Sequence, residues 1–232
     1  METILTTSFL VAVGQIILID ILLGGDNAVV IALACRNLPP QQRKWGIIYG
    51  TAGAIILRVV LIAFALTLLT VPYLKLVGAV LLVWIGVKLL MPEHDDAHSN
   101  ITPSDKLWGA VKTVIVADLV MSVDNVLAIA GAAESAGQHQ LPLVIFGLLV
   151  SIPIIVAGSQ IVLKLMDRFP MIITLGGMLL GWIAGQMAYT DPVLKPYVPA
   201  DKVWEYATAA AGALLVLVIG LYFQKRAKPQ SA

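Results

Sequence analysis

The sequence predicts an all-α, polytopic membrane protein of seven transmembrane helices, a 3+3 inverted repeat plus one. Three observations predict it. Hydrophobic residues make up 59% of the 232-residue chain and charged residues only 12%, with a mean hydropathy of +0.91. Apolar runs of about 20 residues, enough to cross a bilayer, recur seven times, at roughly 8–34, 45–70, 73–91, 108–133, 141–165, 170–189 and 204–223. The third observation is a repeat of the chain against itself at an offset of 98 residues. Backbone polar groups in lipid must be satisfied within their own segment, which makes the spanning elements helices.

Taken in order, the first span opens without a basic flank, since Met1-Glu2-Thr3 lacks one, and it contains Asp20 and Asp26. It therefore reads as a retained helix and not a cleaved signal peptide. The second span contains Arg58 and the third Trp84. A polar joint, Pro92-Glu93-His94-Asp95-Asp96-Ala97-His98-Ser99-Asn100, separates the third span from the fourth. Its acids and histidines would hold a divalent ion only loosely, and the plainer reading is a solvated loop. The fourth span repeats the acidic motif of the first, and the sixth repeats the Trp segment of the third. The stretch 190–203, with Pro192, Pro196 and Pro199, reads as an ordered connector. Lys225-Arg226-Ala227-Lys228 closes the seventh span as a basic flank. The organisation is one transmembrane domain over 1–232, with repeat 1 at about 8–91, repeat 2 at about 108–189 and an extra helix at about 204–223.

Orientation follows from the basic residues. With the N-terminus outside and the C-terminus cytoplasmic, the cytoplasmic ends hold Arg36, Arg43, Lys44, Lys88, Lys106, Lys112, Lys164, Arg168, Lys225, Arg226 and Lys228, and the external ends only Lys75, Lys195 and Lys202. Eleven against three is a clear positive-inside bias. The formal charge of +1 gives no footing for nucleic acid, and the single Cys35 excludes an intramolecular disulfide or a cysteine metal cluster.

The repeat carries the chemistry. Asp20-Ile-Leu-Leu-Gly-Gly-Asp26-Asn27-Ala-Val-Val-Ile31-Ala32 recurs as Asp118-Leu-Val-Met-Ser-Val-Asp124-Asn125-Val-Leu-Ala-Ile129-Ala130, with five of thirteen positions identical. At the same offset Gly78-Ala-Val-Leu81-Leu82-Val-Trp84-Ile85 matches Gly176-Gly-Met-Leu179-Leu180-Gly-Trp182-Ile183. A unit of three spans puts its second copy upside down, as the charge bias also requires, and inverted repeats are characteristic of transporters with a midplane site at the repeat interface. The Trp pair itself reads first as packing or interface anchoring.

A carboxylate within hydrocarbon is costly enough to count as a site hypothesis. Asp20 and Asp118 fall near the middle of their spans, with Asp26 about two turns toward the cytoplasm and Asp124 about two turns toward the outside. Residues seven apart share a helix face, so Asp20 points with Asn27 and Asp118 with Asn125, while Asp26 lies about 120° round from Asp20. Gly24-Gly25 predicts a break that would make Asp26 the cap of a second half-helix, and Ser122-Val123 is its weaker counterpart. Hard oxygen ligands without Cys or His at this depth suit Mg²⁺, Ca²⁺ or Mn²⁺ and disfavour Zn²⁺ or Cu⁺; Met121, beside Asp118, reads as packing. Arg58 is the basic residue at the same depth and its obvious partners are these carboxylates. Four Asp and one Arg sum to −3, so one divalent ion leaves −1, and a protonated carboxylate then permits exchange of metal against protons. The competing structural role is a polar network joining spans one and four.

These motifs resemble the TerC family of bacterial integral membrane proteins, with length and loop pattern most similar to its short YjbE-like branch, over nearly the whole chain. The resemblance implies Mn²⁺ export from the bacterial inner membrane, with Asp20, Asp26, Asn27, Asp118, Asp124 and Asn125 as metal-site residues. It is less informative for Arg58, whose counterpart at the offset of 98 is Val156. The expected function is therefore a membrane transporter, not an enzyme, with Mn²⁺ as transported ion and no prosthetic group. Asp26 and Asp124 would gate the two sides. The alternatives are export of Ca²⁺ or another cation such as a cationic amino acid, a membrane factor that helps metallate exported proteins, and an intramembrane aspartyl protease, against which the matched Asn residues and the repeat argue.

Overall fold

The computed structural model describes residues 14, 17–18, 25–64, 71–91, 102–134, 140–199 and 201–227. Seven helices run through them: α1 Gly25–Cys35, α2 Pro40–Ala63, α3 Leu74–Leu90, α4 Pro103–Glu134, α5 Gln140–Arg168, α6 Met171–Tyr189 and α7 Lys202–Ala227. Among the described residues there is no strand. Four of these helices (α2, α5, α6 and α7) are long and apolar enough to cross a membrane. The molecule is a polytopic, all-helical membrane protein. Its outer faces carry exposed Ile56, Val60, Val80, Leu149, Ile154, Leu175 and Val218, an apolar exterior that suits lipid rather than water.

The helix ends have local causes. Pro40 occupies the first position of α2, where its fixed φ is already helical and its missing N–H is not needed. This starts α2 five residues before the expected span at 45. The start of α4 also lies upstream of the expected 108. Thr102 and Asp105 form a reciprocal capping box: the Thr102 N–H and Oγ1–H donate to Asp105 Oδ2 at 3.0 and 2.7 Å, and the Asp105 N–H donates back to Thr102 Oγ1 at 3.3 Å. α3 and α6 begin within a residue of expectation and α7 two residues before it. The connector after α6 is ordered as expected, with the Tyr189 hydroxyl donating to the carbonyls of Pro199 and Asp201 at 2.8 and 3.1 Å.

Two apolar clusters make the core, and they meet on α1 and α4. One joins Ile31, Leu33 and Cys35 of α1 to Ile47 of α2, Val114 of α4 and Ile155 and Leu163 of α5. The other joins Val30 of α1 to Leu82 and Ile85 of α3, Ala117 and Val120 of α4, and Leu180 and Ala184 of α6. The two helices bearing the duplicated acidic motif are thus the shared centre of the bundle. α3 packs on α6, and each also leans on the motif helix from the other half: Gly78 of α3 faces Val120 of α4, and Gly176 of α6 faces Val29 and Leu33 of α1.

α7 is held by backbone proximity. A Cβ on Gly181 or Gly185 of α6 would run into the backbone of Gly212 or Thr208 on α7. Glycines four apart present one smooth stripe, which lets two helices in lipid approach closely. Trp84 is exposed near the Leu90 end of α3, with Lys88 Nζ 5.1 Å from its ring, and Trp182 meets Tyr206 of α7 at 6.2 Å. The duplicated Trp positions thus face different surroundings.

Candidate functional site

The site is built across α2, α4 and α1. Asp118 lies 15 residues from the start of α4 and 16 from its end, so about 23 Å of helix separates it from either terminus. Arg58 lies 18 residues into α2, about 27 Å from that helix's start. α2 lies against α4 because Gly46, Gly50 and Gly53 leave room on the facing surface; Gly50 receives Val114 and Gly53 receives Ile115. That approach brings the two charges together inside the bundle.

Arg58 and Asp118 form a buried ion pair, Nη2 to Oδ1 at 2.5 Å, with side chains only 4% and 8% exposed. Ser122, one turn beyond Asp118, closes the group. Arg58 Nε donates to Ser122 Oγ at 3.1 Å, and the Ser122 hydroxyl donates to Asp118 Oδ2 at 3.1 Å. Both carboxylate oxygens therefore have partners, and among the described residues Asp118 and Ser122 hold the guanidinium at two points. The fork geometry of arginine makes such a two-point hold natural. The predicted partnership of Arg58 with the carboxylates is present, at Asp118. Sequence reasoning missed Ser122 as its bridge, although a Ser four residues after an Asp shares its helix face. α4 runs without interruption through Ser122-Val123, so the weak break expected there does not occur.

Asn27 projects from α1 toward the same place. It is 4% exposed, and neither its Oδ1 nor its Nδ2 has a hydrogen-bond partner among the described residues. It lines, with Val30, Ile31, Val114 and Asp118, a cavity of about 10 Å³, the size of a single water-sized site. An unpartnered amide in an apolar interior costs about 1–3 kcal/mol, so its retention beside a carboxylate is informative. Asp26 is partly buried, accepts the N–H of Asn27 at 2.8 Å and lies within electrostatic reach of both Arg58 and Asp118.

The structure thus gathers Asn27, Asp26, Asp118 and Arg58. Asp20 and Gly24 lie outside the described residues, as do His94, His98 and the rest of the 92–100 joint. Asp124 and Asn125 are on the α4 backbone one to two turns past Asp118; the Asp124 side chain is outside the described set, and Asn125 is partly buried. Among the described residues no group of three or more His, Cys, Asp or Glu converges. The described donors are one carboxylate pair, an amide and a hydroxyl, all hard oxygen or nitrogen groups.

Sequence reasoning also missed Asp191. It is fully buried, and its carboxylate accepts the N–H of Leu76 at 3.1 Å and of Val193 at 2.9 Å. It caps α3 from the connector after α6, where Tyr73 enters the helix in a left-handed conformation at φ 63°. The Asp191-Pro192 pair was the readable signal, since Asp before Pro favours a turn that folds back on its own backbone.

A helical membrane protein with an ionised pair and an unpartnered amide at mid-bundle is thereby defined. The chain matches the Integral membrane protein TerC family over residues 5–228 and belongs to that family. It is 37% identical to the uncharacterized membrane protein YjbE of Bacillus subtilis, over 94% of this chain and 97% of that one. It is 27% identical to the uncharacterized membrane protein YceF of the same organism, over 95% and 86%. The inner membrane protein YoaE of Escherichia coli is 22% identical over 75% of this chain and 36% of its own length. No solved structure matches.

Proposed function

We propose that this protein is a bacterial inner-membrane transporter that exports a divalent cation, Mn²⁺ before others. The observation that carries the proposal is the unpartnered Asn27 amide facing Asp118 across a cavity the size of one water. A structural polar network would satisfy its own members, whereas a transit site keeps donors and acceptors in reserve for its cargo. The doubled motif, the inverted 3+3 plan and the meeting of α1 with α4 at the bundle centre support the same reading. Asp20 and Asp118 would be the central pair, with Asp26 and Asn27 on one side and Asp124 and Asn125 on the other.

Arg58 sets a condition on the mechanism. Asp118 is held by the guanidinium, so a cation that binds Asp118 must displace it. The cargo and Arg58 then compete for one carboxylate, which keeps the site neutralised between cycles. Protons exchanged at the remaining carboxylates would couple export to the proton gradient. A bystander that only helps metallate secreted proteins would move no metal without its partner. The test is Mn²⁺ flux in liposomes holding only the purified chain, with and without a pH gradient. Flux should fall at least about tenfold in Asp118→Asn and in Asp20→Asn, the loss of one charge-assisted ligand contact being worth about 1.5–3 kcal/mol. Wild-type flux from both variants removes the site as drawn, and flux indifferent to the pH gradient removes the proton coupling. Titration of Ca²⁺ against Mn²⁺ then decides the cargo, since oxygen ligands alone accept both.

A further inference from the structure

A second cavity, of about 250 Å³, opens between α2 and α5 at the end of the bundle where α2 begins. It is several times the roughly 30 Å³ that a water occupies in the liquid. Two matched stripes form its walls. Pro40, Arg43, Lys44 and Ile47 follow i, i+3, i+4, i+7 on α2, and Gln160, Leu163, Lys164 and Asp167 follow the same spacing on α5. That spacing is one face of a helix, so each stripe looks into the cleft.

The charges are distributed unevenly. Arg43 is already engaged: it donates to Asp167 Oδ2 at 2.8 Å and to the carbonyls of Arg36 and Leu38 at 2.7 and 3.1 Å. It thereby fastens the end of α1 to α2 and α5. Lys44 and Lys164 have no ion-pair partner among the described residues. Lys44 is four residues inside the start of α2 and Lys164 four residues before the end of α5, so both ammonium-bearing residues sit about 6 Å within the helix ends. Two like charges at one depth facing one cleft call for an anion between them. The floor is apolar, with Ile47 1% and Leu163 5% exposed. Trp45, beside Lys44, stacks on Tyr49 at 5.4 Å, and Tyr49 on Trp108 at 6.0 Å, all three exposed. Such an aromatic cluster marks the level of the lipid headgroups.

We infer that this cleft binds the phosphate of an anionic phospholipid, with the headgroup between Lys44 and Lys164 and the glycerol and first methylenes over Ile47 and Leu163. Basic pockets between transmembrane helices on the cytoplasmic side are suited to such headgroups. A free phosphate shares the charge but has no use for the apolar floor. The cleft shares no lining residue with the cavity beside Asp118, so the inference does not depend on what the protein transports.

The experiment is native mass spectrometry of the purified full chain in detergent, titrated with phosphatidylglycerol and with phosphatidylethanolamine, alongside thermal unfolding in inorganic phosphate. The wild type should prefer phosphatidylglycerol. Lys44→Gln or Lys164→Gln alone should weaken that binding about fivefold and the double variant about 30-fold, from roughly 1 kcal/mol for each basic residue at the membrane surface. Lys44→Arg with Lys164→Arg should retain it. Lys112→Gln, a basic residue of α4 outside the cleft, should bind as the wild type does. Undiminished phosphatidylglycerol binding by the double glutamine variant overturns the inference, as does an equal loss in Lys112→Gln. Protection by inorganic phosphate equal to that by lipid also overturns it, in favour of a soluble anion.

Discussion

Arg58→Met, compared with Asp118→Leu and with the two combined, measures what the buried pair is worth. Methionine keeps much of the aliphatic volume of arginine and removes the guanidinium. Asp118, whose side chain is 8% exposed, then loses the donor 2.5 Å from Oδ1 and keeps, among the described residues, the Ser122 hydroxyl at 3.1 Å. Removing one member of a buried ion pair costs about 3–5 kcal/mol because the remaining charge has lost both its solvent and its partner. For a chain of this size that corresponds to a fall in unfolding temperature of roughly 6–20 °C. Asp118→Leu should destabilise as well, since Arg58 loses a buried carboxylate acceptor. Replacing both by apolar side chains removes the desolvated charges together, so the double variant should be far less destabilised than the sum of the singles. Thermal unfolding in detergent, followed by helical circular dichroism, reads all three. Simple additivity would refute the reasoning, because it would mean that the two groups do not act on one another. On the proposed function, the same double variant should transport no cation, since Asp118 would be the ligand as well as the partner.

Other substitutions separate function from stability. Asn27→Leu fills the small cavity and removes two unpartnered polar atoms; it should leave stability unchanged or raise it by about 1–3 kcal/mol while abolishing Mn²⁺ flux in liposomes. Asp191→Ala takes the acceptor from the N–H groups of Leu76 and Val193 and should cost about 2 kcal/mol in thermal unfolding without altering cation binding. Gly185→Val puts a Cβ 2.7 Å from the Ala209 Cα of α7, and the overpacking should cost about 1–3 kcal/mol and free α7 to proteolysis. The Thr102 hydrogen bonds hold the Asp105 carboxyl below the usual carboxylate range. Its support for the start of α4 is therefore present above the ordinary carboxylate pKa and is lost as pH falls through the lowered value. Amide exchange at residues 102–106 should speed up over that acid window, and Thr102→Ala should remove the dependence.

The fold was legible because hydropathy is an almost complete description of a helix in lipid, so the expected limits of α3 and α6 lie within a residue of those observed. The starts of α2 and α4 were placed late because charged residues, Arg43, Lys44, Asp105 and Lys106, end a hydropathy run without ending a helix. The signals that do set those starts, Pro40 and the Thr102/Asp105 box, are local and polar, and hydropathy does not register them. In the site, periodicity was enough to align Asp118 with the centre of its span, and charge balance was enough to give Arg58 a carboxylate partner. Neither names which carboxylate, because that choice depends on how closely α2 approaches α4, which Gly50 and Gly53 decide. Asp191 was passed over for a related reason: it acts on a helix 115 residues away in sequence, and no local pattern carries that pairing.

Arg58 also breaks the symmetry that the repeat would otherwise give the site. The offset of 98 supplies two Asp and an Asn to each half but sets Val156 against Arg58, so the guanidinium at this depth is contributed by the first half alone. It is used on Asp118, a carboxylate of the second half. The pair therefore fastens the two halves to each other at mid-bundle, while Asn27 beside it stays unpartnered. A site built from identical halves would hold its cargo equally toward both sides of the membrane. On the proposed function, a cation that takes Asp118 would have to displace the guanidinium that ties α2 to α4. The acidic motif is duplicated, but on that function the work of opening would fall on α2, which is the helix that the Arg58→Met measurement addresses.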